Sequence, residues 1–485
     1  MSFQAWLVLS LVVVYLCLIL AFVVKSRRKK SGRFLPATLS EFFLADRKLP
    51  GWVLMVTYLG TFNSSLLLVG IPSLAYQKGA IAVFEFWASI VLGFFLALFL
   101  AKKIWQFAKD KGVLSPIELL SVSYGSKGLG QFAAFIFLIP LISYLSMQLA
   151  SLGIFLEGIS NGYINYITGV GSAVFILGAY ALLGGMRAIA FTDVVQVGAI
   201  YLAIAMVLIM IIYIVWPAEG IDWHVFKATT SEHLSLQGAQ GSFKPEFILF
   251  GMLGLCPVIF QPQLLSRWMM AQNESQGWKM NLTVVGGLSF AFPVMILIAL
   301  TAYIIFPNLE SANVVAPKMM SYINDLGIWG MITSALFSFG LLGAAMSTAD
   351  SLMLAIAQIS TRDIVRVKNK SVLKAKSLMI GALIIAFVIG MNPPAIIADM
   401  AFYAIKATAA LIPAYMALFW SKRNALAALA SISAGLLTLI TIVVMDIDTY
   451  GINDGFITLA VSTLVYLAVA YARLVQIGGM RLQNI

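Results

Sequence analysis

The sequence predicts an all-α, polytopic membrane protein of about thirteen transmembrane helices. The first observation is composition: of 485 residues, 61% are hydrophobic and 11% charged, and the mean hydropathy is +0.96, values far outside the globular range. The second is the placement of charge. A net charge of +11 would suggest nucleic acid for a soluble chain. Here the Lys and Arg residues crowd into short loops beside apolar runs, so orientation in a bilayer explains them and no nucleic-acid partner is expected.

The first apolar run, 6–24, has an uncharged start and is followed by Lys25-Ser-Arg-Arg-Lys-Lys30. A signal peptide carries its charge before the apolar run, so this one reads as a retained helix leaving the membrane on the cytoplasmic side. Runs of about 20 apolar residues continue at 51–76, 81–101, 130–154, 164–183, 192–216, 246–266, 282–306, 328–359, 376–391, 396–420, 424–445 and 455–472. With the N-terminus outside and the C-terminus cytoplasmic, 26 of the 31 Lys and Arg residues fall on the inner side. Missing one span would scramble that separation. Only Lys78, Lys227, Lys244 and Lys318 fall outside, and Lys406 lies within a span. The expected location is the inner membrane of a bacterium.

Two loops carry signals of their own. Ser115-Pro116-Ile117-Glu118 has the spacing of a capping box and predicts a short cytoplasmic helix up to Tyr124-Gly125. The polar loop 217–245, with His224 and His233, reads as solvated, with a small extracellular gate as the other reading. Cys17 and Cys256 both lie in apolar runs, which argues against a disulfide, and two His residues do not make a structural zinc site. No low-complexity linker divides the chain, so residues 1–485 read as one domain.

Two spans look interrupted. The second contains Gly60-Thr61-Phe62-Asn63-Ser64-Ser65 and then Gly70-Ile71-Pro72; the seventh contains Gly251, Gly254, Pro257 and Pro262. Breaking a helix in lipid frees backbone groups that must find partners, so breaks belong where they line a cavity. Paired breaks at matching positions of two halves point to a transporter with inverted repeats. The repeats would be 51–216 and 246–420, flanked by 6–24 and 424–472. An enzyme is not expected, because no His-rich cluster or nucleophile–base pairing occurs at helical spacing.

The ninth span holds Gly343-Ala-Ala-Met-Ser-Thr-Ala-Asp-Ser351. Ala344, Ser347 and Thr348 fall at i, i+3 and i+4 and share one helix face. They can offer one carbonyl and two hydroxyls to a small hard cation. Equally, Ser and Thr hydroxyls bond back to the i−4 carbonyl or join two helices.

Five segments together resemble the sodium/solute symporter family, which includes bacterial sodium–proline and sodium–galactose transporters. They are Glu41-Phe-Phe-Leu-Ala-Asp-Arg-Lys-Leu-Pro50, Gly184-Gly-Met-Arg-Ala-Ile-Ala-Phe-Thr-Asp-Val-Val-Gln196, Gln261-Pro-Gln-Leu-Leu-Ser-Arg267, Ala344-Ala-Met-Ser-Thr-Ala-Asp-Ser351 and Leu418-Phe-Trp-Ser-Lys-Arg-Asn424. The resemblance implies a LeuT-type five-plus-five inverted-repeat core and co-transported sodium. It implies a sodium site of backbone carbonyls from Gly60, Asn63 and Ala344 and hydroxyls from Ser347 and Thr348. Asn63 departs from the family, whose members carry an apolar residue there. Asp193 is similar to a family aspartate tied to sodium release, although Thr192-Asp193 also fits an N-cap. Asp350 is a coupling candidate, or a structural hydrogen-bonding group.

The solute, a small organic molecule, is expected at mid-membrane between the breaks, with Ser64, Ser65, Glu85, Phe260, Gln261, Gln263 and Lys406 as candidates. Lys406 would pair with Asp399 or a carboxylate solute, or reach an interface. The expected function is sodium-coupled symport of a small organic solute into the cytoplasm by alternating access. Proton coupling through Asp193, Asp350 or Glu85, or a membrane sensor acting with a separate signalling partner, are the alternatives.

Overall fold

The computed structural model describes residues 36–482 except 37, 161, 184, 368–370 and 394–396. The candidate span 6–24, Cys17 and the basic run Lys25–Lys30 lie outside the described residues. Among those described, all regular structure is helical.

A short helix α1 (Leu39–Leu44) leads into a pair, α2 (Gly51–Phe62) and α3 (Leu66–Lys78), bent by 45°. There follow α4 (Ala80–Asp110), a short α5 (Glu118–Ser123), α6 (Lys127–Ile159), α7 (Tyr166–Leu183) and α8 (Met186–Ala218). Two small helices, α9 (Trp223–Thr229) and α10 (Ser231–Leu234), precede a second pair, α11 (Pro245–Phe260) and α12 (Pro262–Met269), bent by 52°. Next come α13 (Glu274–Ile305), α14 (Val315–Asn324), α15 (Ile328–Ile364) and α16 (Val372–Gly390). A third pair, α17 (Ala398–Ala409) and α18 (Ile412–Phe419), bends by 47° before α19 (Ala425–Val444) and α20 (Asp454–Leu482). Eight continuous helices and the three bent pairs are long and apolar enough to cross a bilayer, and the apolar stretch Tyr166–Gly178 is shorter. A helix or bent pair stands at every expected span beyond residue 50.

The breaks occur where the chain supplies replacement partners. After Phe62 the backbone leaves the helix at Asn63 (φ −78°, ψ 71°). The Ser65 amide and hydroxyl both donate to Gln148 Oε1 on α6, at 3.2 and 2.8 Å, and the Leu66 amide donates to Ser64 Oγ at 3.1 Å. Gly70-Ile71-Pro72, expected to interrupt the chain again, instead continues as helix through one wide turn, because that turn absorbs the missing proline donor. In the second pair, Gly251 and Gly254 stay helical and the break falls at Gln261, between Pro257 and Pro262. The third bend has Pro413 as its sequence signal, and the span reading missed it.

Three local expectations are corrected. Helix α8 begins at Met186, so Thr192 and Asp193 lie in its interior and Asp193 is not an N-cap. Glu118 reaches back to accept from the Leu114 amide at 2.8 Å, but Ser115 donates to Asp363 at 2.5 Å rather than capping α5. The loop 217–245 is folded onto the bundle: His233 is buried, lies 3.0 Å from the Tyr76 carbonyl and packs on the Tyr303 ring.

Close approach at the second break depends on Gly93 of α4, where an added Cβ would sit 2.7 Å from the Cys256 carbonyl oxygen. Gly286 of α13 faces open space. Gly93→Leu is therefore expected to cost about 1–3 kcal/mol, lowering the thermal unfolding temperature in detergent, while Gly286→Leu leaves it unchanged.

Candidate functional site

Helix α15 meets α2 and α8 at mid-length, and glycine makes the junction tight. A Cβ on Gly60 would lie 3.0 Å from Ser347 Oγ and 3.1 Å from Val197 of α8. Ala344, Ser347 and Thr348 are wholly buried. Other hydroxyls of α15 bond back one turn: Thr333 to Trp329, Ser338 to Ser334, Ser351 to Ser347 and Thr361 to Ala357. Ser347 and Thr348 behave differently. Thr348 Oγ1 donates to the Thr61 carbonyl across the junction at 3.4 Å, and Ser347 Oγ faces the Asp193 carboxylate of α8. Both hydroxyls turn to neighbouring helices rather than to their own backbone, so this pair is not local helix chemistry. The Asn63 side chain is also buried, against the Tyr201 hydroxyl of α8.

A charge cluster adjoins this junction. Asp193 on α8 accepts from Thr57 Oγ1 of α2 and faces Ser347 of α15. Neither carboxylate oxygen of Asp350 is hydrogen-bonded, which removes the structural hydrogen bond offered as its second reading. Between them stands Arg267 of α12, 1% exposed, which donates to Ser351 Oγ at 2.6 Å and feels both carboxylates. The charge count treated Arg267 as an inner-loop cation. It is instead buried within the bundle, and the signal missed was its place one helical turn past the break at Gln261-Pro262-Gln263.

The two breaks and α6 enclose a narrow cavity of about 20 Å³, room for about one water. Thr61, Tyr144, Gln261 and Gln263 supply its polar wall, Phe86 and Phe292 part of its apolar one, and no charged side chain lines it. Gln263 Nε2 donates to Gln261 Oε1 at 3.0 Å, which leaves Gln261 Nε2 and Gln263 Oε1 without partners. Ser64 and Ser65 stand behind the wall, holding the break. Phe260 is buried against Tyr415 and Trp268, away from the cavity. Tyr144 and Gln148 went unread; their signal is a polar i, i+4 pair inside the apolar run 130–154.

Glu85 and Lys406 occupy a different place. They line a vestibule of about 270 Å³ with Lys78, Lys244 and Asp399, on the face carrying the 217–245 loop. Lys406 pairs with Asp454 of α20 at 2.8 Å, rather than with Asp399. The opposite, Lys/Arg-rich face is latched shut. Arg47 donates to the Met269, Ala108 and Val113 carbonyls, Arg362 pairs with Glu118 at 2.5 Å, and Tyr415 donates to the Pro116 carbonyl at 3.2 Å.

Removing Arg267 would leave two buried carboxylates without their cation. Arg267→Gln is expected to destabilise the protein by about 3–5 kcal/mol, seen as loss of folded protein in the membrane, and adding Asp350→Asn is expected to recover part of it.

The sodium:solute symporter family model matches residues 42–435. The chain is 23% identical over 465 residues to a sodium/pantothenate symporter of Haemophilus influenzae, covering 92% of each. It is 24% identical over 487 residues to a sodium/pantothenate symporter of Escherichia coli, covering 94% of each. A sodium/glucose cotransporter of Vibrio parahaemolyticus is 22% identical across 72% of this chain and 67% of its own. In fold, the chain is similar to a Na+-coupled sialic acid symporter solved in a substrate-bound outward-open state (TM-score 0.76, 16% identity, 96% and 98% of the two chains). A nucleobase-cation-symport-1 family transporter in a closed conformation gives a TM-score of 0.61 at 9% identity, over 92% and 97%. These likenesses support the LeuT-type core that the resemblance implied. The chain belongs to the sodium:solute symporter family and is a sodium-coupled symporter of a small solute.

Proposed function

We propose that sodium binds where α2 faces α15, on the carbonyls of Gly60, Asn63 and Ala344 and the hydroxyls of Ser347 and Thr348. The observation that carries this is the contrast along α15: only at these two hydroxyls among those compared does the back-bond give way to an oxygen turned to a neighbouring helix. Neutral oxygens suit an ion that must leave again. Asp193 and Asp350 stand next to it as the release and coupling groups.

The solute occupies the cavity at the breaks, recognised by the free amide groups of Gln261 and Gln263 together with Thr61 and Tyr144. That lining favours a small polar solute with hydroxyl or amide groups. The cavity is closed around about one water, so binding requires the helices around it to part. Residues 51–216 and 246–420 serve as the two repeats, and their rocking exposes the site to each side in turn. The Lys/Arg-rich face is cytoplasmic, with the N-terminus outside and the C-terminus inside a bacterial inner membrane. The vestibule of Glu85 and Lys406 is then the outer approach.

One sodium ion crossing about 100 mV releases roughly 2.3 kcal/mol, and a tenfold gradient adds about 1.4 kcal/mol. Together they sustain roughly several hundredfold accumulation of a neutral solute.

The solute is found by screening for ligands whose thermal stabilisation of the purified protein requires sodium. In proteoliposomes loaded with that solute, Ser347→Ala with Thr348→Ala is expected to raise half-saturating sodium by at least about tenfold while insertion stays intact. Unchanged sodium dependence would overturn the site. Uptake driven by a proton gradient alone would transfer the coupling to Asp193 or Asp350.

A further inference from the structure

A crevice of about 360 Å³ opens between the last third of α4 and the start of α13, apart from the cavity and the vestibule. Its charged lining is one cation and one anion, Lys102 and Glu274, paired at 2.8 Å with half-exposed side chains. Asn281 also lines it. That side chain is 4% exposed, and neither its amide nitrogen nor its oxygen is hydrogen-bonded. Trp105, Trp268 and Trp278 complete the walls. The first two are fixed by donating to the Ala271 carbonyl at 2.5 Å and to the Tyr58 hydroxyl at 3.1 Å.

The crevice sits at a membrane boundary. Lys102 and Glu274 lie toward the Lys/Arg-rich ends of two crossing helices, and Trp278 is 49% exposed, as indoles at headgroup level are. Away from that boundary, Leu98 of α4 and Leu282 of α13 are exposed, 52% and 58%, forming an apolar continuation toward the bilayer interior. A headgroup in the crevice would therefore have its chains in lipid.

We propose that this crevice binds the headgroup of a zwitterionic phospholipid bearing a primary ammonium, of the phosphatidylethanolamine type. The phosphate replaces Glu274 as partner of Lys102 and accepts from Asn281 Nδ2. The ammonium replaces Lys102 as partner of Glu274 and donates to Asn281 Oδ1. One ligand thus satisfies both charges and both unmade bonds of the amide. A choline headgroup has no N–H to offer the amide oxygen or the carboxylate. An anionic glycerol headgroup would leave Glu274 without a cation.

The test is native mass spectrometry of the full-length protein in detergent, titrated with phosphatidylethanolamine, phosphatidylcholine or phosphatidylglycerol of identical chains. The expected result is one phosphatidylethanolamine retained per chain, at a half-saturating concentration about fivefold below the other two. Lys102→Gln and Asn281→Leu lose the retention, and Glu274→Gln moves the preference to phosphatidylglycerol. If Asn281→Leu does not fold, the two substitutions at half-exposed positions decide. Equal retention of all three lipids, a preference for another headgroup in the unsubstituted protein, or retention unaffected by the substitutions would overturn the proposal. Displacement by soluble glycerophosphoethanolamine at equal concentration would also overturn it, because the occupant would then not be a lipid.

Discussion

The structure depends on one constraint: inside a bilayer, backbone groups released from a helix have no water to turn to. Each bend must be answered by protein. At the first, Gln148 of α6 takes both donors of Ser65, and Ser64 takes the next amide. At the second, the Gln261 carbonyl accepts from Leu264 and Leu265, starting α12 at once. These answers come from side chains fixed on neighbouring helices or from the next turn, so the bends are held in place.

The charges beside the junction follow from the same scarcity of water. Asp193, Asp350 and Arg267 carry one negative charge in excess when both carboxylates are ionised. A cation at the proposed site, next to Asp193, would bring the region to neutrality. In the proposed arrangement neutral oxygens would set the geometry of the ion while the carboxylates would supply its electrostatic balance. A carboxylate bound directly to the ion would hold it harder and slow its release. Thr57 donates to Asp193, Arg267 donates to Ser351, and the charges of Asp193 and Arg267 attract each other, which ties α2, α8, α12 and α15 into one unit. A change in charge there is felt by all four.

Much of this was legible in the sequence. Hydropathy located each span beyond residue 50, because twenty apolar residues have few other uses. The breaks at Asn63 and Gln261 were visible because Gly, Pro and polar residues cluster there. The bend between α17 and α18 was not, since Pro413 stands without such a cluster. Arg267 was misplaced because charge counting sees how near a cation is to a loop, not which way its helix turns after a break. The grouping of Ser347 with Gly60 came from the family resemblance, as nothing in either segment's own residues names its partner; the fold brings the two into close approach. Glu85 and Lys406 were read as pocket residues from their depth in apolar runs. Their helices turn them to the vestibule, while their chain neighbours Phe86 and Ile405 line the cavity.

The latches on the Lys/Arg-rich face bear on how such a machine can cycle. Arg362–Glu118 is a partly exposed pair, and Arg47 makes hydrogen bonds to carbonyls at the ends of α4 and α12. Contacts of these kinds contribute about 1 kcal/mol each, more where a charge is involved. Opening that face breaks several of them, a cost of about 5 kcal/mol or more, larger than the roughly 2.3 kcal/mol that one ion releases across about 100 mV. A gate held by a packed apolar core would be far harder to part, and one held by nothing would leak. Polar latches can be exchanged for water one bond at a time, which distinguishes this face, closed by hydrogen bonds and ion pairs, from the apolar packing within the bundle.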